Sequence, residues 1–414
     1  MYQLYVEQCK DNSIPVEDIA KEWVYSDVFN YEFNYGFKNP DADTCDDCDL
    51  FHLKLREAET EEIRLSVQND YDIHLSDAEN RYKSKAADKE HSRQCATEKV
   101  VMIDLQKCLP TPELTNSQSF YCLKLWTYNL VIHDSTIQKA YCMMWDESIA
   151  GRGENEVASC VLKWAKICDI PETVQDLIIW SDNCPSQNRN FHMVMCYLYL
   201  LKMKPSLKTI SHKFLTKGHT HLEADVDHAL IERERKRIPQ LKIITPWDWQ
   251  QVVRLCSKKK GSFDVTGMET EDFLSFKSLY EGSKSPSVIR KKGDSGENFL
   301  LSQAVQLQVR QDQPGILFYK TKFIGDFSSC TLNRNIRKNN TPMPESLPII
   351  RCSSRKISTK KYNHLQKLTK WVPKQFHKYY QDIPHGEETD EDSHINLVIQ
   401  KTYHKCSISI RFSQ

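Results

Sequence analysis

At 414 residues, 40% of them hydrophobic, the chain has room for roughly two or three domains and a real core, as expected of a globular protein with irregular parts. Lys plus Arg and Asp plus Glu both number 56, so net charge selects no partner, and no run of about 18 apolar residues marks a membrane span. The charge is nevertheless uneven: the first 50 residues hold 12 acids against 3 Lys or Arg, whereas 351–378 hold 9 Lys or Arg and no acid.

Residues 1–54 read as an acidic, aromatic N-terminal module (VYSDVFNYEFNYGF) ending in Cys45-Asp-Asp-Cys48. Its start, MYQLYVEQCKD, has neither the basic residues nor the apolar stretch of a signal peptide, so the expected setting is soluble and intracellular. The cysteine spacing lets two thiolates reach one Zn²⁺, with Cys9, His52 or His74 available to complete four ligands; it reads equally as a solvated acidic turn. The other cysteines of the fifteen are scattered (Cys122, Cys142, Cys160, Cys196), as reduced core residues are, without the density of a disulfide framework.

Residues 55–97 read as a helical linker, a hairpin or one long helix, with His74, Leu75, Ala78 and Tyr82 on one stripe. Over 98–260 the periodicity switches in a definite order. EKVVMIDLQK, FYCLKLWTYNLVIHD and KAYCMMWDE read as three strands of a meander. The segment GRGENEVASCVLKWAKICDIP reads as a helix, VQDLIIWSD as a buried strand and NRNFHMVMCYLYLLKMKP as a buried helix. LKTISHKFLT then gives a fifth strand and EADVDHALIERERKRI a third helix, with Val226 and Leu230 expected toward the core. Residues 261–384 read as a C-terminal β/helical region with a basic segment, and 385–414 as an acidic tail and C-terminus.

Three strands followed by helix, strand, helix, strand, helix is the order of the ribonuclease H-like fold, an α/β architecture with a mixed five-stranded sheet flanked by helices. That layout calls for acids on the first strand, at the end of the fourth, and on the helix after the fifth. Asp104, Asp182 and Asp225 stand there. Converging carboxylates suit two-metal phosphodiester chemistry, because two Mg²⁺ about 3.5–4 Å apart repel unless anionic oxygens bridge and flank them. A charged residue inside an apolar strand is costly, which singles out Asp104. The third acid is open between Asp225, which is favoured, and Glu232, while Asp227 reads as a helix-start acid favoured by the dipole. Asn183, Gln187 and Asn188 are placed to hydrogen-bond the carboxylate, a bound water or a phosphate, while Ser186 or Asn188 reads equally as the cap of the next helix. The stretch GHTHLEADVDH departs from the His-x-His-x-Asp-His motif of metallo-β-lactamase-like hydrolases, since Glu223 and Ala224 occupy the expected Asp and His positions. His219, beside the acids, reads as a proton or phosphate contact and equally as an ordinary turn histidine.

Together VVMIDLQKCLPTP, WSDNCPSQNRN, KFLTKGHTHLEADVDHALIE and FNYEFNYGFKNPDADTCDDCD resemble a transposon-derived, uncharacterised family with a ribonuclease H-like, retroviral-integrase-like core, related to DDE/D transposases. The resemblance covers about residues 25–380. It implies metal-binding catalytic acids at Asp104, Asp182 and Asp225, supporting amides at Asn183, Gln187 and Asn188, Mg²⁺ or Mn²⁺, a DNA substrate and a nuclear setting. The expected function is transposase-like cleavage or strand transfer; the alternative is a domesticated, non-catalytic DNA- or chromatin-binding protein on a decayed core. The basic-aromatic stretch 351–380, through Lys360, Lys361, Lys367, Lys370 and Lys374, is expected to grip the DNA backbone, or else to form a solvated amphipathic helix. Self-association into a homo-oligomer is a further expectation, and no membrane partner is.

Overall fold

The computed structural model describes residues 2–32, 44–168, 170–238, 240–256, 262–280, 292–332 and 343–386. The chain divides into two units, the first formed by 1–44 with 395–414 and the second by 45–394. In the first, helices α1 (Tyr2–Asp11) and α2 (Glu22–Glu32) meet through Tyr5 and Tyr25, whose ring centroids lie 5.1 Å apart, and Cys9 is buried. The acidic tail expected beyond 386 lies outside the described residues.

The second unit begins with α3 (Asp46–Glu57) and α4 (Glu61–Gln94), a helical pair. Thr60 caps α4 by accepting from Ile63 N at 3.3 Å, and Glu61 and Glu62 in the first turn with His91 and Arg93 in the last complement the helix dipole. Next come β1 (Glu98–Leu105), β2 (Leu109–Thr111), the short α5 (Ser117–Tyr121), β3 (Leu125–Asp134), β4 (Lys139–Asp146), α6 (Glu154–Ile167), β5 (Asp176–Ser181), α7 (Phe191–Met203), β6 (Thr209–Phe214) and α8 (Glu223–Arg237). They are followed by α9 (Pro246–Leu255), β7 (Phe263–Gly267), β8 (Gln306–Arg310), β9 (Ile316–Lys320) and β10 (Ser328–Thr331). The chain then enters β11 (Ile357–Ser358), α10 (Thr359–Leu368), α11 (His377–Gln381) and β12 (His385–Gly386).

Among the described residues the result is α/β with one large mixed sheet of ten strands, ordered β10-β9-β8-β6-β5-β1-β3-β4-β7 with β2 paired to β3. The expected five strands form its middle, β4-β3-β1-β5-β6; β1, β5 and β6 are parallel and β3 is antiparallel to β1. The five-strand expectation is corrected because both edges of that middle carry further strands. β7 adds parallel to β4, and β8 adds antiparallel to β6. An uncovered edge exposes a row of unpaired N–H and C=O groups, and runs that read as a separate C-terminal region cover it here. α3 packs with α4, and the second unit starts at Cys45.

Alternation along β1 sets the two layers. Val100 and Met102 pack with Ala224 and Ile231 of α8, Val252 and Val253 of α9 and Tyr82 of α4. Val101 and Ile103 are buried on the opposite face, the side of α6 and α7. The core face of α8 is Ala224, Asp227, His228 and Ile231, and Val226, expected inside, is 60% exposed. Leu222, Asp225 and the first turn fix this phase, since Leu222 N donates to Asp225 Oδ2 at 2.7 Å. Along α4, Ala78, Arg81 and Lys85 are buried while Leu75, expected on that stripe, is exposed. Arg81 donates to Phe214 O at 3.0 Å, and Asp88 accepts from Trp180 Nε1 at 2.8 Å and pairs with Lys213 at 2.8 Å. No helix among the described residues is long and apolar enough to cross a membrane.

Candidate functional site

Asp104 shares its strand face with Val100 and Met102 and therefore looks toward α8. Ile103 is registered with Ser181 in the parallel β1–β5 pair, so Asp104 and Asp182 leave neighbouring strand ends at the same level. The first two turns of α8 add Asp225 and His228. Single ligand atoms of Asp104, Asp225 and His228 lie within 4.8 Å of one another, and His228 Nδ1 is 3.5 Å from Asp104 Oδ2. Asp182 stands beside them: it accepts from Cys184 N at 3.1 Å and from the Asn188 side-chain amide.

The electrostatics follow from crowding. Burial, then the charges of Asp182 and Asp225, push the Asp104 carboxyl up to about 8. Desolvation also raises Asp225, whose carboxyl is turned into the cluster although the residue as a whole is exposed. Burial holds His228 down to about 4, so at neutral pH it is an uncharged imidazole with a free lone pair. Its Nε2 is buried without a partner among the described residues, as is Asn183 Oδ1. Carboxylates that disfavour one another's charge, beside a neutral imidazole and unpartnered buried polar atoms, form a donor set that a divalent cation fits.

The remaining acids of α8 are occupied elsewhere. Glu232 pairs with Lys107 at 2.9 Å, Asp227 with His133 at 2.7 Å, and Glu223 with Lys85 at 3.3 Å and with Lys89. Gln187 enters the turn through its backbone N–H, which donates to Cys184 O at 3.3 Å. The helix cap is neither Ser186 nor Asn188 but Asn190, which accepts from Met193 N at 2.9 Å.

A second cluster contains Cys45, Cys48, His74 and His219, whose ligand atoms also lie within 4.8 Å of one another. His219, expected beside the acids, belongs here, because the turn before α8 carries it toward α3 and α4. Cys45 Sγ is 3.4 Å from His74 Nε2, Cys48 Sγ 3.3 Å from His219 Nε2, and the two Nε2 atoms are 3.2 Å apart. Burial and then Cys45 push the Cys48 thiol up to about 11, and burial holds His219 below its ordinary value. His52, another ligand option, instead meets Tyr71 Oη at 3.0 Å, and Cys9 lies in the first unit. The signal for His219 in the sequence was the Gly218-His219 turn. Nothing local tied it to a cysteine pair so far upstream.

Residues 85–283 match a family described as a domain of unknown function (DUF7869). No curated protein and no solved structure matches the chain. The DUF7869 span runs from within α4 to beyond β7 and contains Asp104, Asp182, Asp225, His228 and His219, whereas Cys45, Cys48 and His74 lie before it.

Outside the DUF7869 span, the basic segment splits by exposure. Lys360, Lys367, Lys370 and Lys374 are exposed, and Lys370 Nζ sits 4.1 Å from the centroid of the Trp371 ring. Lys361 is corrected as a DNA contact: it is 2% exposed and holds the Glu147 carboxylate at 2.6 and 2.7 Å. The fold consumes its charge because α10 buries Leu365 and Leu368 and turns Lys361, on the same face, inward.

Proposed function

We propose that the chain is a Mg²⁺- or Mn²⁺-dependent DNA phosphodiesterase or strand transferase of the ribonuclease H-like, transposase-related class. The observation that carries this reading is the cluster of Asp104, Asp225 and His228 at the end of β1 and the start of α8, with Asp182 leaving the adjacent end of β5 close enough for its charge to act on Asp104. The strand order β4-β3-β1-β5-β6, with β3 reversed and helices on both faces, supports it at the level of the fold.

Asp104, Asp225 and His228 would hold the cation, with Asp182 alongside them. Once bound, a divalent ion supplies Lewis-acid stabilisation of the phosphoryl oxygens and counters the repulsion among the acids. The residues themselves do the positioning. Asn188 and Cys184 N fix one Asp182 oxygen, and the Leu222 N–H fixes one Asp225 oxygen. His228 stays neutral and presents a lone pair instead of a competing charge. Asp104 would have to be deprotonated to hold a cation, so occupancy is expected to rise with pH toward about 8. The exposed Lys360, Lys367, Lys370 and Lys374 supply phosphate contacts that weaken with salt. A DNA substrate brings a nuclear setting into the same reading.

The test is nicking of supercoiled DNA with Mg²⁺ or Mn²⁺ by wild type, Asp104→Asn and Asp182→Ala. Each variant is expected to lose about 100-fold or more of the rate. Equal rates in wild type and variants, or no metal-dependent nicking by wild type, overturns the reading.

A further inference from the structure

We propose that Cys45, Cys48, His74 and His219 form a closed, structural Zn²⁺ site that ties the α3–α4 pair to the turn leading into α8. With Zn–S near 2.3 Å and Zn–N near 2.0–2.1 Å, tetrahedral angles place S and N ligands about 3.5 Å apart and two N ligands about 3.3 Å apart. The chain holds the two S···N pairs at 3.4 and 3.3 Å and the N···N pair at 3.2 Å. Hydrogen bonding alone accounts poorly for this arrangement. Each Nε2 faces a sulfur and the other Nε2 at once, yet an imidazole nitrogen carries either one proton or one lone pair. An ion at the centre satisfies all four atoms together. Four protein ligands leave no open position, which marks a structural and not a catalytic zinc.

The turn at Gly218 is built for this approach. Gly218 has φ +77°, and a Cβ placed there would lie 2.6 Å from Cys45 Cα and Cβ and 2.7 Å from its Sγ. Any other residue would be strained in φ and would drive the turn off Cys45. Thr216 O accepts from His219 N at 2.9 Å and closes the turn, while Cys45 Sγ lies 3.4 Å from Lys217 O. Sequence-distant segments are thereby brought together where α4 alone contributes only His74.

The proposal stands independently of the phosphodiester reading, and its test keeps the two apart. The full chain, purified without chelator and reconstituted with equimolar Zn²⁺, is assayed for bound metal by plasma mass spectrometry and, after exchange, by Co²⁺ absorption. The expected result is one zinc per chain and a Co²⁺ spectrum with intense tetrahedral d–d bands and thiolate-to-cobalt charge transfer. Co²⁺ at the carboxylate cluster gives no thiolate charge transfer, so the band reports on this site alone. Cys48→Ser and His219→Asn should lose that band and the tightly held zinc, while His221→Asn, on an exposed neighbour outside the cluster, and Asp182→Ala should keep both. A wild type that holds no zinc or shows no thiolate band overturns the proposal irrespective of how the variants fold, as does a Cys48→Ser protein with unchanged zinc and spectrum. Loss of nicking in Asp182→Ala with the cobalt band intact bears on the carboxylate site only.

Discussion

His212 is enclosed on β6, its Nδ1 2.8 Å from Tyr197 Oη and its Nε2 2.8 Å from Ser181 Oγ, next to the strand end that carries Asp182. Burial, with a smaller contribution from the Arg189 charge, holds it down to about 3 against an ordinary 6.5. The sign follows from linkage: the unfolded chain takes up a proton as pH falls through 6.5, and the folded chain refuses it until about 3. Its contribution to stability is therefore complete above 6.5 and is lost on acidification across that window, at no more than about 1.4 kcal/mol per pH unit. Urea midpoints of wild type and His212→Gln at pH 7 and pH 4.5 check this. The variant is expected to show the shallower pH dependence, whatever its baseline, and parallel shifts would refute the assignment. Single residues of this kind divide sharply in legibility. Asp104 and Asp182 were readable because each interrupts or ends an apolar strand, whereas the burial of Lys361 against Glu147 depends on a partner 214 residues away.

At the scale of elements, α8 shows where periodicity fails. Counting apolar residues puts Val226 and Leu230 inside, yet the buried positions include Asp227 and His228, which meet His133 of β3 and Asp104 of β1, and Glu234, which pairs with Arg237 of the same helix. Hydrophobic pattern does not see a buried polar face. The same holds for α4, whose buried Arg81 and Lys85 reach backbone carbonyls of Phe214 and His221. Asp88 tests that attachment, since its carboxylate accepts from both the Trp180 indole and the Lys213 ammonium. Asp88→Ala leaves both donors without it and is expected to cost about 2 kcal/mol, measured by chemical denaturation. A cost below about 0.5 kcal/mol would mean that the Asp88 contacts do not hold α4 in place.

For the molecule as a whole, the central five strands and their helices were legible because each has one dominant period. The flanking strands were not assigned to the same sheet, because β7, β8, β9 and β10 are each no more than 5 residues long and follow the central five in the chain. Their role becomes visible only through pairing: β8 hydrogen-bonds to β6 and β7 to β4. A fragment covering 98–260, the core as read from sequence, therefore exposes two strand edges. It is expected to aggregate, whereas 45–386 should be soluble and unfold in one transition, as judged by size-exclusion chromatography and thermal melting. A soluble, folded 98–260 fragment would show that the outer strands are dispensable.

The length of α4 gives that helix the properties of a ruler. His74 meets His219, Lys85 donates to His221 O, and Lys89 pairs with Glu223, so successive marks along about 22 Å of helix engage successive points of the segment that enters α8. The place at which Asp225 begins its helix is thus measured out in units of helical rise. One residue inserted between His74 and Lys85 would turn one mark about 100° away from the other, and both could not meet the same segment again.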